Sequence, residues 1–165
     1  MAVRLQWHIP EEVESFISEL IQKVSPVSVL DVGCGNGRFT PLLSDYGRRK
    51  YLGVDVSKLK LRIAKRCFPY AEFINADFFS LNLKETFSLV FTACFICLPE
   101  VRVKLDLLAE KIYNLGRHFL CFEGFLGLKE PIPSIFERHG FEEISSMRFN
   151  QHDADVFLFR RKSFE

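Results

Sequence analysis

Residues 27–32 form an aliphatic run broken only by Ser28 and Asp31, and the run leads without a spacer into Gly33-Cys34-Gly35-Asn36-Gly37. A segment this short and this apolar has the pattern of a strand buried on both faces, the situation of strands in a parallel sheet. Glycines at alternate positions then let the chain turn through conformations closed to other residues and bring its backbone close to whatever lies at the turn. Parallel strands require crossover connections, almost always right-handed and usually helical. This one segment therefore points the whole chain towards a layered α/β architecture.

The rest of the sequence keeps that alternation. Val13, Phe16, Ile17, Leu20, Ile21 and Val24 recur at the spacing of a helix over 10–24 with one buried face. A second helix is expected over 38–46, with Gly47 as a left-handed cap. Strands follow at 50–54, 71–75, 87–92 and 118–123, and a helix at 57–67 with Ser57 as its N-cap. A single long crossover helix is expected over 99–115, with Val101, Leu105, Leu108, Ile112 and Leu115 on one face, and a short helix over 133–139. The last two strand-like runs, 143–149 and 155–161, are joined by a link too short for a crossover and right for a hairpin. The expectation is a three-layer α/β sandwich: a mostly parallel seven-stranded sheet ending in a C-terminal antiparallel hairpin, with helices on both faces. One domain should span 1–165, with 1–25 as an N-terminal helical segment.

Composition excludes several function classes. With 165 residues, 26% charged, and a net charge of +1, the chain has no global basic field for nucleic acid. Five cysteines (Cys34, Cys67, Cys94, Cys97 and Cys121), odd in number and mostly in apolar runs, read as reduced, buried thiols. Cys94 and Cys97 have the gap of a metal or redox pair but no second pair or nearby histidine, so packing is expected there and no metal. The first residues lack a basic segment followed by an apolar one, and no apolar stretch approaches the roughly 20 residues of a membrane span. A cytoplasmic protein without a membrane partner is the expectation.

The chemistry-bearing residues sit at strand ends. Asp55 ends the second strand, where sheets of this kind place a carboxylate on ribose hydroxyls, and Asp77 follows the third. The turn reads Gly-x-Gly-x-Gly, whereas a dinucleotide site needs glycine or alanine one place later, where Arg38 stands. With these positions the chain resembles the class I S-adenosylmethionine-dependent methyltransferase family. Val29-Leu30-Asp31-Val32-Gly33-Cys34-Gly35-Asn36-Gly37 looks like its first motif, Gly53-Val54-Asp55-Val56-Ser57 like its second, and Asn75-Ala76-Asp77-Phe78 like its third. The resemblance implies S-adenosylmethionine as cofactor. Asp31 and the backbone of Gly33, Cys34 and Gly35 would hold its methionine part, Asp55 the ribose, and Asp77 with the Phe78 backbone the adenine edge. Val56 would pack on the adenine face, and Thr92 and Ala93 would lie beneath the transferable methyl.

The acceptor is less constrained. After the fourth strand, family enzymes acting on amino groups and nucleic acids often carry an Asn or Asp followed by two prolines and an aromatic. Here that place reads Thr92-Ala93-Cys94-Phe95-Ile96-Cys97. This leans towards a small-molecule acceptor and in-line methyl transfer, which needs positioning more than acid–base help. General-base candidates are Glu123, the best placed because it ends the fifth strand on the edge of the glycine turn, and His8, His139 and His152. Trp7 and His8 could also fold over the cofactor. Two alternatives stand beside this reading: a methyltransferase-like scaffold or activator subunit, and an RNA-modifying enzyme that uses the basic stretch Lys58, Lys60, Arg62, Lys65 and Arg66. A solvated helix face is the favoured explanation of that stretch. A monomer or a homodimer is expected.

Overall fold

The computed structural model describes residues 9–124 and 127–163. In chain order the elements are α1 (Glu11–Val24), β1 (Ser28–Val32), α2 (Thr40–Tyr46), β2 (Lys50–Asp55), α3 (Lys58–Cys67), β3 (Glu72–Asn75), β4 (Phe87–Ala93), α4 (Pro99–Arg102), α5 (Leu105–Leu115), β5 (Gly116–Gly124), α6 (Ile132–Arg138), β6 (Phe141–Phe149) and β7 (Ala154–Arg161). The strands form one sheet in the order β3-β2-β1-β4-β5-β7-β6. Only β7 runs against the others, because it is the returning arm of the terminal hairpin. A 3-10 turn at Asn150–His152 and a left-handed Asp153 close that hairpin.

Two apolar layers cover the sheet. On one face Val13, Ile17, Leu20 and Ile21 of α1, Leu43 of α2 and Leu61 of α3 pack on Val29, Leu89, Phe91, Leu120 and Leu158. On the other, α4, α5 and α6 cover Leu30, Val32, Val54, Val90 and Phe119. There the rings of Phe119, Phe136 and Phe159 stack with centroids 4.6 to 6.0 Å apart, tying α6 to the β5–β7 pair. The three-layer sandwich expected from the sequence is the observed fold.

Three local expectations are corrected. Gly47 does end α2, but at φ −73° rather than in the left-handed region. It is needed for space, since a Cβ there would lie 2.9 Å from the Lys50 carbonyl oxygen. The long helix over 99–115 is two helices, α4 and α5, interrupted at Val103 and Lys104. The β-branched Val101 and Val103 weaken that turn of helix, and the apolar periodicity runs across the break without registering it. The cysteines are all free, but only Cys34 and Cys121 are buried; Cys67 and Cys94 are exposed and Cys97 is half-buried. Cys94 reaches the surface because it adopts φ +52°, turning the chain out of the sheet after β4. Among the described residues no helix is long and apolar enough to cross a membrane.

Candidate active site

The carboxyl edges of β1 and β4 meet where the strand order changes direction, the place where open α/β sheets bind ligands. The turn after β1 sits in that opening. Gly33, Gly35 and Gly37 have φ of +73°, +55° and +80°, so the glycines meet a conformational requirement at each position. The Gly33 and Cys34 amides both donate to the Val54 carbonyl, at 2.8 and 3.1 Å, which anchors the turn to β2. Space is also tight: a Cβ on Gly33 would lie 2.6 Å from the Phe95 ring, and one on Gly37 2.8 Å from the Phe68 ring.

Two carboxylates flank the turn in different environments. Asp31 is buried, and its Oδ2 accepts the Tyr51 hydroxyl at 2.9 Å. Tyr51 has one proton to give, so Thr40 Oγ1, 2.8 Å from the same hydroxyl, must donate to it. Burial raises Asp31 from 3.8 to about 7, opposed by the Tyr51 bond and assisted by the nearby charge of Asp55. Asp55 is half-buried and braces the backbone: Oδ2 accepts the Gly35 amide at 2.9 Å and Oδ1 the Ser57 amide at 2.8 Å. Asn75 donates from Nδ2 to the carbonyls of Asp55 and Val56, fixing the end of β2 to β3.

The remaining predicted residues surround the same opening. Val56 is 66% exposed, an uncovered apolar side chain directly after Asp55. Asp77 is exposed and its Oδ1 accepts the Phe79 amide at 2.9 Å, the cap of a short turn. Phe78 is buried beneath it, with the Lys111 ammonium 5.0 Å from its ring centre. Thr92 lies at the end of β4 opposite Val32, and Ala93 follows it, half-buried. Two buried oxygens here, Thr92 Oγ1 and Asn36 Oδ1, have no hydrogen-bond partner among the described residues. Buried polar atoms without partners are rare in folded chains and mark places completed by something else.

The base candidates fare differently. Glu123 is fully buried at the end of β5 and uses its carboxylate on backbone amides. His139 pairs with Asp106 and His152 with Glu12, each at 2.7 Å. His8 and Trp7 lie outside the described residues. No cluster that could hold a metal occurs among the described residues. The sequence reading missed Tyr51, Thr40, Asn75 and Phe95, whose roles depend on contacts between strands or on a loop folding back.

Comparison with known proteins places this arrangement in a family. A profile described as a methyltransferase domain matches residues 29–114, from β1 and its glycine turn through most of α5. The chain belongs to the methyltransferase-domain family. A TehB-like S-adenosylmethionine-dependent methyltransferase from Corynebacterium glutamicum superposes with a TM-score of 0.71 at 25% identity, covering 88% of this chain and 87% of that one. Magnesium protoporphyrin IX methyltransferase from Synechocystis, solved with bound S-adenosylmethionine, shares the fold with a TM-score of 0.72 at 15% identity over 92% of this chain and 79% of that one. The 235L protein of Invertebrate iridescent virus 6, a methyltransferase by name, is 30% identical over 87 residues, 52% of this chain. The chain spans 32% of the length of that viral relative.

The site suits S-adenosylmethionine, the cofactor of the two structural neighbours. It offers a turn whose backbone can be approached closely, a buried acid beside it and two buried oxygens without hydrogen-bond partners among the described residues.

Proposed function

We propose that the protein transfers a methyl group from S-adenosylmethionine to a small-molecule acceptor, with the cofactor held along the edge from Gly33 to Asp77. The observation that carries this reading is the row of left-handed glycines at the switch point between β1 and β4, flanked by Asp31 and Asp55. Asp31 and the Gly33–Gly35 backbone would hold the methionine end. Asp55 would take the ribose hydroxyls, and Asp77 and the Phe78 amide the adenine edge, with Val56 against its face. Thr92 and Ala93 would floor the methyl end, where the free Thr92 oxygen can bind a ligand group. The bound cofactor supplies a methyl already activated as a sulfonium, ready for in-line displacement. The protein's part is then to orient and to exclude water, and holding two reactants in line can contribute roughly 7 to 11 kcal/mol.

Two features support a small acceptor. The segment after β4 is Cys94-Phe95-Ile96-Cys97 rather than a polar residue with two prolines, and the link from β5 to α6 is too short for a large substrate-binding insertion. A second reading rests on α3. Lys58, Lys60, Arg62, Lys65 and Arg66 are all exposed, and none enters the ion pairs found among the described residues. Phosphate contacts of an RNA acceptor would suit that face. Incubation with labelled S-adenosylmethionine against pooled metabolites and against RNA tests both readings. Label in the metabolite pool supports the first; label confined to RNA overturns it in favour of the second.

A further inference from the structure

Glu123 is the most deeply buried acid at this edge of the sheet, and the general-base role suggested by its sequence position does not fit its contacts. Its Oε1 accepts the amides of Phe95 at 3.1 Å and Ile96 at 3.0 Å, and its Oε2 accepts that of Cys97 at 3.3 Å. Three successive amides of one loop converge on one carboxylate, an arrangement that favours negative charge. The loop begins at Cys94, whose left-handed backbone costs a non-glycine residue on the order of 1 kcal/mol. Its first amide still donates to the Phe122 carbonyl at 2.8 Å, continuing the β4–β5 ladder. Beyond it, the chain has left the sheet and is held by Glu123. Phe95, the first residue so held, lays its ring against Gly33 and meets Phe78 edge-on, with centroids 6.4 Å apart.

We propose that Glu123 is a positioning residue: by holding the amides of Phe95, Ile96 and Cys97 it sets the Phe95 ring against Gly33 and so shapes the pocket for the methyl donor. The inference rests on the reading that S-adenosylmethionine binds at this turn. Burial raises Glu123 from 4.5 to about 7, against the lowering effect of its amide bonds. The charged carboxylate can accept all of them, whereas the protonated acid must commit one oxygen to a proton. The clamp is therefore complete above about pH 7 and loosens below it. The titratable groups facing it are the thiols of Cys94, Cys97 and Cys121, with Asp155 paired to it on β7 and Glu143 beyond; Glu100 and Arg102 of α4 act on Cys97.

The test is calorimetric titration of S-adenosylmethionine into the wild type, Glu123→Gln, Phe95→Ala and the double variant from pH 6 to 8.5, with hydrogen exchange of the 95–97 amides. Glutamine keeps the shape, but its amide group confronts the Cys97 N–H. At pH 8 Glu123→Gln should bind roughly 10- to 100-fold more weakly, the loss expected for charge-assisted hydrogen bonds. Its 95–97 amides should lose protection. Phe95→Ala should weaken binding while those amides stay protected, and the double variant should be no weaker than the weaker single. Asp31 titrates in the same range, so wild-type affinity carries two proton linkages below pH 7. Below pH 7 the steepness of log Kd against pH should decrease by up to about one in Glu123→Gln. Lost protection with wild-type affinity and slope would make Glu123 a fold-holding residue only and overturn the proposal, as would unchanged protection. Absence of binding by the wild type at every pH would instead overturn the functional reading on which it rests.

Discussion

Tyr51 and Asp31 are joined across the β1–β2 pair by a buried hydrogen bond of 2.9 Å, which opposes, without cancelling, the burial that raises the pKa of the acid beside the glycine turn. Asp31 binds its proton up to about pH 7 when folded and only to about 3.8 when unfolded. Over that window the native state carries the extra proton, so its stability falls as pH rises and levels off above 7. Asp31→Asn removes this penalty while keeping an oxygen for Tyr51. It should melt higher than the wild type at pH 8 by the equivalent of roughly 2 to 4 kcal/mol, with the gap closing towards pH 4. Calorimetric melts across that range check the sign; a gap that widens at low pH would contradict it.

The same carboxylate yields a second expectation. A cationic amino group placed beside Asp31 favours its charged form, so cofactor binding near pH 6.5 should release a proton. The binding enthalpy should then vary with the ionisation enthalpy of the buffer, and this dependence should shrink in Asp31→Asn. Titrations in phosphate and in imidazole at one pH decide the matter.

Gly33 combines a φ of +73° with a ring where its Cβ would stand. Gly33→Ala must strain the backbone and displace Phe95, and a cost of about 1 to 3 kcal/mol is expected. Phe95→Ala should relieve the crowding but not the backbone strain. Gly33→Ala should therefore destabilise less in a Phe95→Ala background, a coupling readable in a double-mutant cycle of melting curves.

Much of this site was legible because its parts are local. Residues 27–37 announce a buried strand and a turn that only glycine can make, and Ser57 caps α3 through the Lys60 amide as its position suggested. What escaped depends on residues distant in sequence meeting in space. Tyr51 reads as one more apolar strand residue until β2 is laid beside β1. Glu123 reads as a reactive acid at a strand end until the 95–97 loop folds back over it. The α4–α5 break is silent because Val101, Leu105 and Leu108 keep helical spacing across it. Cys94 read as core because its neighbours are apolar, and one left-handed residue turned it outward.

Ser28 and Ser88 staple the starts of β1 and β4 reciprocally. Ser88 Oγ accepts the Val27 and Ser28 amides and donates to the Ser28 carbonyl, while Ser28 Oγ accepts the Ser88 amide. This staple lies at the amino edge of the sheet, opposite the glycine turn. Ser88→Ala strips the partner from the part-buried Ser28 amide and from the exposed Val27 amide, and should cost about 1 to 3 kcal/mol in urea unfolding. Its affinity for S-adenosylmethionine should stay at the wild-type value, whereas Asp55→Ala should lose cofactor affinity. Equal losses in both variants would mean that the binding assay reports folding rather than the site.

The exposed cations of α3 separate the two acceptor readings. Lys58 and Arg62 stand one turn apart, as do Arg62 and Arg66, so like charges repel along the helix. Replacing Lys58, Arg62 and Lys65 together by Glu breaks that row and puts an acid in the first turn, where the helix dipole favours it. Exposed substitutions of this kind usually change stability by no more than about 0.5 kcal/mol each. If the acceptor is a small molecule, turnover should change little, since all three side chains are exposed to solvent. If it is RNA, retardation of RNA by the protein in a gel-shift assay should vanish in this variant and turnover should fall steeply. The wild-type rate should then also drop between low and moderate salt, as phosphate contacts demand.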